Sequence, residues 1–372
     1  MKQQMLSKEF IEALQNQPEE VIDIYNLTYT TPDILSIRRK RVNEEFMYEL
    51  HGKPITAISD LQRVEALVIP PAWQNVRIAQ LDNAHLQATG RDEKKRKQYR
   101  YHPKWQKIRN QTKFFKMIAF AEALPKLRAR VREDISQQKW TRTKVLAIVI
   151  RLLEESHIRI GNSYYAKKNQ TYGLSTLRTR HVEVFKDKFT LEYVGKRGKE
   201  HKVTIRNKKL TQLINKCEEI PGWELFQYYD EYGEKHAIDS SMVNEYIHSL
   251  CGDIFSAKDF RTWAASLIFF DALKSFPKTS SVKTKEKQLL QAIDVAANAL
   301  NNTRNVCRKY YIHPIISQRF LEDKLTPYFQ MVDDLPVSTE VELQPNEKAL
   351  KALLETYQPT IEASKMHTIT KR

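Results

Sequence analysis

A phenol, two guanidiniums and a primary amine suffice to cut a phosphodiester without a metal or an activated water. This chain carries such a set in an ordered series of short strings. Arg159 stands in Ile158-Arg159-Ile160-Gly161-Asn162, Lys196 in Val194-Gly195-Lys196, and Arg261 in Lys258-Asp259-Phe260-Arg261-Thr262. Tyr311 follows in Cys307-Arg308-Lys309-Tyr310-Tyr311-Ile312-His313-Pro314. In this chemistry the tyrosine oxygen attacks phosphorus, the arginines neutralise the two non-bridging oxygens, and the lysine protonates the departing alkoxide. The product is a covalent phosphotyrosine link to a nucleic acid. Composition alone does not select these residues, because the chain holds 17 tyrosines and 61 lysines and arginines, and Tyr310 is a rival nucleophile.

The elements that position the set read as follows. Short strands are expected around Ile37 to Tyr48 and Val76 to Gln80, with a helix at Ser59 to Leu67 closed by Pro70-Pro71. A polar helix is expected at Lys8 to Gln15. Helical periodicity takes over after a boundary near residues 108 to 114, with helices at Phe114 to Leu127 and Lys144 to His157, the second ended by Gly161-Asn162. Strands at Val182 to Phe185, Phe189 to Val194 and Lys202 to Ile205 surround a hairpin turn, Gly195-Lys196-Arg197-Gly198, which presents Lys196 on a mobile tip. Ser256 and Asp259 form a capping box that starts a helix whose inward stripe is Phe260, Trp263, Ala264, Leu267 and Ile268. Arg261 then falls near the positive end of that helix, where a bound anion would relieve the conflict. A last long helix at Lys285 to Leu300, with Leu290, Ile293, Ala297 and Leu300 inward, stops at Asn301-Asn302 just before Tyr311.

Charge points to the partner. The net charge is +16, yet residues 331 to 372 hold five Lys or Arg against seven Asp or Glu, so the body of the protein is strongly basic and attracts a polyanion. Residues 91 to 109 hold nine Lys or Arg interleaved with Tyr99, Tyr101 and Trp105. Such a block is commonly a solvated face, but with its aromatics and a Gln it suits contact with a nucleic acid. The three cysteines form no CxxC pair and indicate neither zinc nor a disulfide framework, which fits a reducing cytoplasm. The longest aliphatic stretch, Val145 to Ile150, stops at Arg151, so neither a signal peptide nor a membrane span is expected. There is no GxxxxGK[ST] loop for a nucleotide and no carboxylate cluster at metal-ligand spacing.

Taken with Ile69-Pro70-Pro71-Ala72-Trp73, Leu86-Gln87-Ala88-Thr89-Gly90-Arg91-Asp92 and Lys97-Gln98-Tyr99-Arg100-Tyr101-His102-Pro103, the strings resemble the type IB DNA topoisomerases, in their bacterial and poxvirus-like branch. The resemblance spans some two thirds of the chain. It implies an α+β protein: an N-terminal extension (1–35), a small β-rich DNA-clamp domain (36–110), a mainly helical catalytic domain with a small antiparallel sheet (111–330), and a C-terminal tail (331–372). It also implies relaxation of supercoiled DNA through a 3′-phosphotyrosyl intermediate and a free 5′-hydroxyl, needing no ATP, metal or cofactor. The expected agent is a monomer clamped around double-stranded DNA, in a bacterial nucleoid.

Counting back from Ile312-His313-Pro314 puts the reactive tyrosine at 311, with Arg159, Lys196 and Arg261 as its catalytic partners. Gln98 and Tyr99 match residues that meet the major groove, and Arg91, Lys97 and Tyr101 flank them. Lys258 matches the other lysine of the Lys-x-x-Arg element, and Tyr165 matches a positioning tyrosine near the scissile phosphate. Where the poxvirus pattern has Gly-His-Thr, this chain has Asn301-Asn302-Thr303. Asn302 donates a neutral hydrogen bond but shuttles no proton, which implies a smaller role in stabilising the oxyanion.

Two alternatives stand beside this reading. A tyrosine recombinase or integrase uses the same chemistry, but Lys258 stands where recombinases usually carry His, and the N-terminal half reads partly β. A non-catalytic nucleic-acid-binding protein accounts for charge alone.

Overall fold

The computed structural model describes residues 12–14, 16–43 and 45–357. The described residues form two compact units, one running to Lys116 and the other from Met117 to Tyr357. The fold is α+β. The expected helix at Lys8 to Gln15 lies largely outside the described residues.

The first unit is built on one antiparallel sheet. Its strands are β1 (Ile37–Val42), β2 (Glu45–Leu50), β3 (Lys53–Pro54), β4 (Gln74–Ile78), β5 (Leu86–Arg91) and β6 (Lys97–Tyr101), in the order β3-β2-β1-β4-β5-β6. Strand alternation turns Ile37, Val76, Ile78 and Ala88 to one side, where they bury Val64 of helix α1 (Ile58–Ala66). Two of the recognisable strings meet here. A side chain on Gly90 would approach Trp73 to 2.9 Å, so the strand can pass the indole only as glycine. Arg39 donates to the carbonyls of Ile69, Pro70 and Trp73 at 3.2, 3.1 and 2.7 Å, fixing the proline turn against β1.

A helix begins earlier than the sequence pattern indicates. Helix α2 runs without a break from Pro103 to Ser136, through the expected boundary at 108 to 114. His102 accepts the N–H of Lys104 at 3.1 Å and so helps to cap it. The first turns carry so many basic residues that their apolar stripe is only Trp105 and Ile108, which pack on Ile22, Ile24, Tyr25 and Leu27.

The second unit is mainly helical. Its core helix α3 (Arg142–Ser156) buries every residue from Val145 to Ile150. It stops at Ser156, short of Gly161, because His157 takes the left-handed conformation itself at φ 54°. Gly161 has another use: a side chain there would meet Thr176 Oγ1 at 2.7 Å, so the segment carrying Arg159 can lie against Gly173. Helix α4 (Ser163–Asn169) follows, then the sheet β7 (Val182–Val184), β8 (Phe189–Val194) and β9 (Glu200–Ile205). After α5 (Lys208–Glu218), the pair β10 (Gln227–Tyr229) and β11 (Lys235–Ala237), and α6 (Ser240–Cys251), the chain enters α7 (Ala257–Ser275) and α8 (Val282–Ala299).

Helix α7 is enclosed rather than striped. Residues 259 to 266 are all buried, Arg261 among them, as are Phe269 and Phe270, while Leu267 and Ile268 are only partly covered. In α8, Ile293, Ala297 and Leu300 face inward as expected, but Leu290 is 40 % exposed. Its place in the buried row goes to Lys285, which reaches Asp323 at 2.6 Å, and to Gln288. Short helices α9 (Arg304–Tyr310), α10 (Pro314–Leu321) and α11 (Thr326–Asp334) lead to α12 (Pro345–Glu355).

Helix α12 is built into this unit. Leu350, Leu353 and Leu354 are fully buried, and Glu347 takes two hydrogen bonds of 2.8 Å from Arg128 and one of 3.0 Å from Trp263.

Candidate active site

Three strings converge on one cleft in the second unit. Arg159, Lys196 and Arg261 line it, with His157, Tyr193 and His201. Arg159 comes from the extended segment after α3, Lys196 from the β8–β9 turn and Arg261 from the second turn of α7.

Arg261 is only 4 % exposed, and two of its guanidinium nitrogens are bonded within the protein. Its Nη1 donates to the carbonyl of His157 and its Nη2 to that of Leu300 at 2.9 Å. These are the capping residues of α3 and α8, so one guanidinium ties off the negative ends of two helices. That is a structural role the sequence does not disclose. Its Nε has no hydrogen-bond partner among the described residues.

The Arg261 guanidinium carbon also sits 5.4 Å from the ring centre of Tyr311. Burial raises the affinity of the Tyr311 hydroxyl for its proton. The charge of Arg261, then those of Arg159 and Lys258, outweigh burial and leave it below the ordinary phenol value. Burial and the charge of Arg159 in turn lower Arg261. The tyrosine backbone is held from α7 as well: Ser266 Oγ donates to the Tyr311 carbonyl at 3.1 Å and accepts the N–H of His313 at 3.0 Å. Tyr310 differs, being 43 % exposed with Lys309 over its ring at 5.5 Å.

The Asn301-Asn302-Thr303 string divides its work by residue. Asn301 takes φ 51° just past α8, and the N–H of Asn302 returns to the carbonyl of Ala297 at 2.8 Å, a Schellman end usually made with glycine. Thr303 caps α9 by accepting the N–H of Val306 at 3.4 Å. Between them Asn302 Oδ1 accepts from Arg159 at 2.6 Å, while its Nδ2 is buried without a partner among the described residues. The change from glycine at 301 thus leaves a regular helix end.

Lys196 is exposed on its turn. The turn is tight, with Gly195 N–H to the Lys199 carbonyl at 2.7 Å, and Arg197 at φ 69° and Gly198 at φ 72° share the left-handed positions. Gly195 does not; it is glycine because the His201 ring lies against it. Lys258 is exposed on the first turn of α7, and Tyr165 is 40 % exposed on α4, edge-on to Tyr164 at 5.5 Å. Tyr165 does not line the cleft.

The basic block of the first unit forms β6 and the β5–β6 turn. Lys97, Tyr99 and Tyr101 share one side of β6, the two tyrosine rings stacked at 6.0 Å and Lys97 5.5 Å from the Tyr99 ring centre. Gln98 points to the opposite side and donates to Asp92 Oδ2 at 2.9 Å, and Arg91 donates to the Lys95 carbonyl at 2.8 Å.

The sequence pattern does not single out His157, Tyr193 or His201. Burial and then the Arg261 charge hold His157 down to about 4; burial, Arg159, Lys199 and Arg261 do the same for His201. The available signal was register: a turn closing between 195 and 199 pairs residue 193 with 201.

Residues 102–325 match the model of the eukaryotic DNA topoisomerase I catalytic core, and residues 45–92 that of the bacterial DNA topoisomerase IB N-terminal domain. The chain is 33 % identical over 287 residues to DNA topoisomerase 1B of Acanthamoeba polyphaga mimivirus, covering 74 % of this chain and 84 % of the relative. It is 22 % identical over 237 residues to DNA topoisomerase 1B of vaccinia virus and to DNA topoisomerase I of monkeypox virus, covering 63 % of this chain and 72 % of each relative. Among the described residues no helix is long and apolar enough to cross a membrane.

Proposed function

We propose that this chain, which belongs to the type IB DNA topoisomerases, relaxes supercoiled duplex DNA by transient single-strand cleavage through a 3′-phosphotyrosyl intermediate. Tyr311 attacks the scissile phosphorus, and the bond to the 5′ oxygen breaks. Arg159 and Arg261 meet the non-bridging oxygens, and Lys196 protonates the leaving 5′ oxygen. The freed strand rotates, and its 5′-hydroxyl reverses the step. One phosphodiester replaces another of similar energy, so ATP is not consumed.

The observation that carries this reading is a half-buried phenol, lowered toward ionisation, beside a buried guanidinium whose cleft also holds a second arginine and an exposed lysine. Two buried donors without partners among the described residues, Arg261 Nε and Asn302 Nδ2, belong to the same group. A buried unpaired donor is costly, and a phosphate oxygen would satisfy it. Asn302 in this reading supplies a neutral hydrogen bond and orients Arg159. Lys258 assists through its charge, and Tyr165 positions DNA near the cleft.

In the first unit, Lys97, Tyr99 and Tyr101 offer charge and stacked rings along one side of an edge strand, a form that suits a groove of duplex DNA. Arg91 at the turn and Gln98 on the opposite side of the strand complete the DNA contacts assigned to this unit, and a single copy clamps the duplex. The test is relaxation of positively and negatively supercoiled plasmid in EDTA without ATP. Removal of both signs is expected, and a requirement for added ATP or magnesium overturns the proposal.

A further inference from the structure

The lysine assigned as the acid stands on an exposed turn, and an exposed lysine has many rotamers. Something must fix the base of that turn if one ammonium is to meet one oxygen. The structure offers a seat made of three residues. Tyr193 and His201 are directly opposite each other on β8 and β9, and their rings stack at 4.9 Å with an angle of 6° between their planes. The imidazole also lies on Gly195, where a side chain would come within 2.5 Å of His201 Nε2. The same ring lines the cleft with Arg159 and Arg261. A second hold comes from outside the hairpin, where the N–H of Tyr172 reaches the Val194 carbonyl at 2.8 Å. Beyond this base the tip is open, since a side chain on Gly198 would touch nothing within 4 Å.

We propose that His201 is a positioning residue for the cleavage step: wedged between the Tyr193 ring and Gly195, it fixes the base of the hairpin from which Lys196 reaches the leaving 5′ oxygen. The imidazole touches no reacting atom in this role. Its flat shape fits the gap between ring and glycine, and it is held toward the neutral form by burial and by the charges of Arg159, Lys199 and Arg261. Gly195 and His201 are coupled, because a larger residue at 195 displaces the ring. The inference rests on the assignment of Lys196 as the acid.

The test uses single-turnover cleavage of a duplex carrying a mapped cleavage site, made once with an ordinary phosphodiester and once with sulfur replacing the bridging 5′ oxygen. A thiolate leaves without protonation, so a defect that acts through Lys196 disappears on the sulfur substrate. His201→Ala should slow cleavage of the ordinary substrate about 10²-fold, the scale of a displaced catalytic group, leave non-covalent DNA affinity unchanged, and recover on the sulfur substrate. His201→Phe keeps a flat ring and should retain most of the rate.

Gly195→Ala, which pushes on the ring without removing it, should reproduce the sulfur-rescued defect and serves if His201→Ala does not fold. Equal loss on both substrates, or no loss, overturns the proposal. Lys196→Ala separates the two levels: if it is rescued and His201→Ala is not, only the positioning role falls. If Lys196→Ala itself is not rescued, the acid assignment fails and the positioning role fails with it.

Discussion

The two units hold their positive charge in opposite ways. In the first, Lys97 lies along a tyrosine ring, Arg96 pairs with Asp92 at 2.6 Å, and Arg91 ends on a turn carbonyl, all at an exposed sheet edge. In the second, Arg261 is buried, bonded to two helix ends and placed beside Tyr311. Charges of the first kind act by number: each gains little from its neighbours in water and is replaceable by another nearby. A charge of the second kind is singular, because its removal leaves two helix-end carbonyls and a phenol without the group beside them. Under the proposed function, the first region serves affinity and the second serves chemistry.

The sharpest way to break that contrast is within the cleft. Arg261→Ala should cost both activity and stability: about 10²-fold or more in cleavage, as for loss of an oxyanion donor, and about 2–5 kcal/mol in unfolding free energy from two helix-end carbonyls left unpaired. Arg159→Ala, which loses a partly exposed side chain bonded to Asn302, should cost comparable activity but less than about 1 kcal/mol of stability. Chemical denaturation beside single-turnover cleavage separates the two. Equal stabilities would show that Arg261 does not hold the helix ends.

Burial, with arginines close by, leaves a signature in acid. His157, His181 and His201 are each held near 4, below the ordinary histidine value, so between about pH 6.5 and 4 the unfolded chain binds more protons than the folded one. Their contribution is complete above about pH 6.5 and is lost as pH falls toward 4. Glu154 and Asp271, raised by burial, work in the opposite direction. Thermal melts should therefore fall through this window, and His181→Gln, which lies outside the cleft behind the lining residue Tyr172, should flatten the fall by its share. A wild-type melting temperature that stays constant across the window would contradict this.

The smallest effects belong to the sheet edge. Replacing Lys97 or Arg91 by Ala should weaken DNA binding modestly and reduce the slope of log K against log salt by about 1 for each phosphate no longer neutralised. The cleavage rate of saturated complexes should stay unchanged. A large drop in that rate would make the first unit part of the chemistry.

The same contrast explains what could be read before the fold was known. Tyr311, Arg159, Lys196 and Arg261 each sit in a distinctive string, so their order alone proposed the chemistry. The first turns of α2 were hidden because Lys104, Lys107 and Arg109 alternate there with a stripe of only two apolar residues. His157 ended α3 in place of Gly161, since a residue other than glycine can take positive φ when the surrounding structure holds it there. Leu290 was expected inside by its chemistry, but Lys285 and Gln288 found partners in Asp323 and the Pro277 carbonyl and took the inner row. His201 carries no local pattern at all; only the register across the Lys196 turn puts it in the cleft.

The central claim is that Tyr311 itself becomes joined to DNA. Trapping the protein on labelled duplex with detergent, digesting it and sequencing the labelled peptide tests this directly. The account predicts a single phosphotyrosyl peptide containing Tyr311, lost in Tyr311→Phe and retained in Tyr310→Phe. Label on Tyr310, or on Tyr311→Phe, would contradict it.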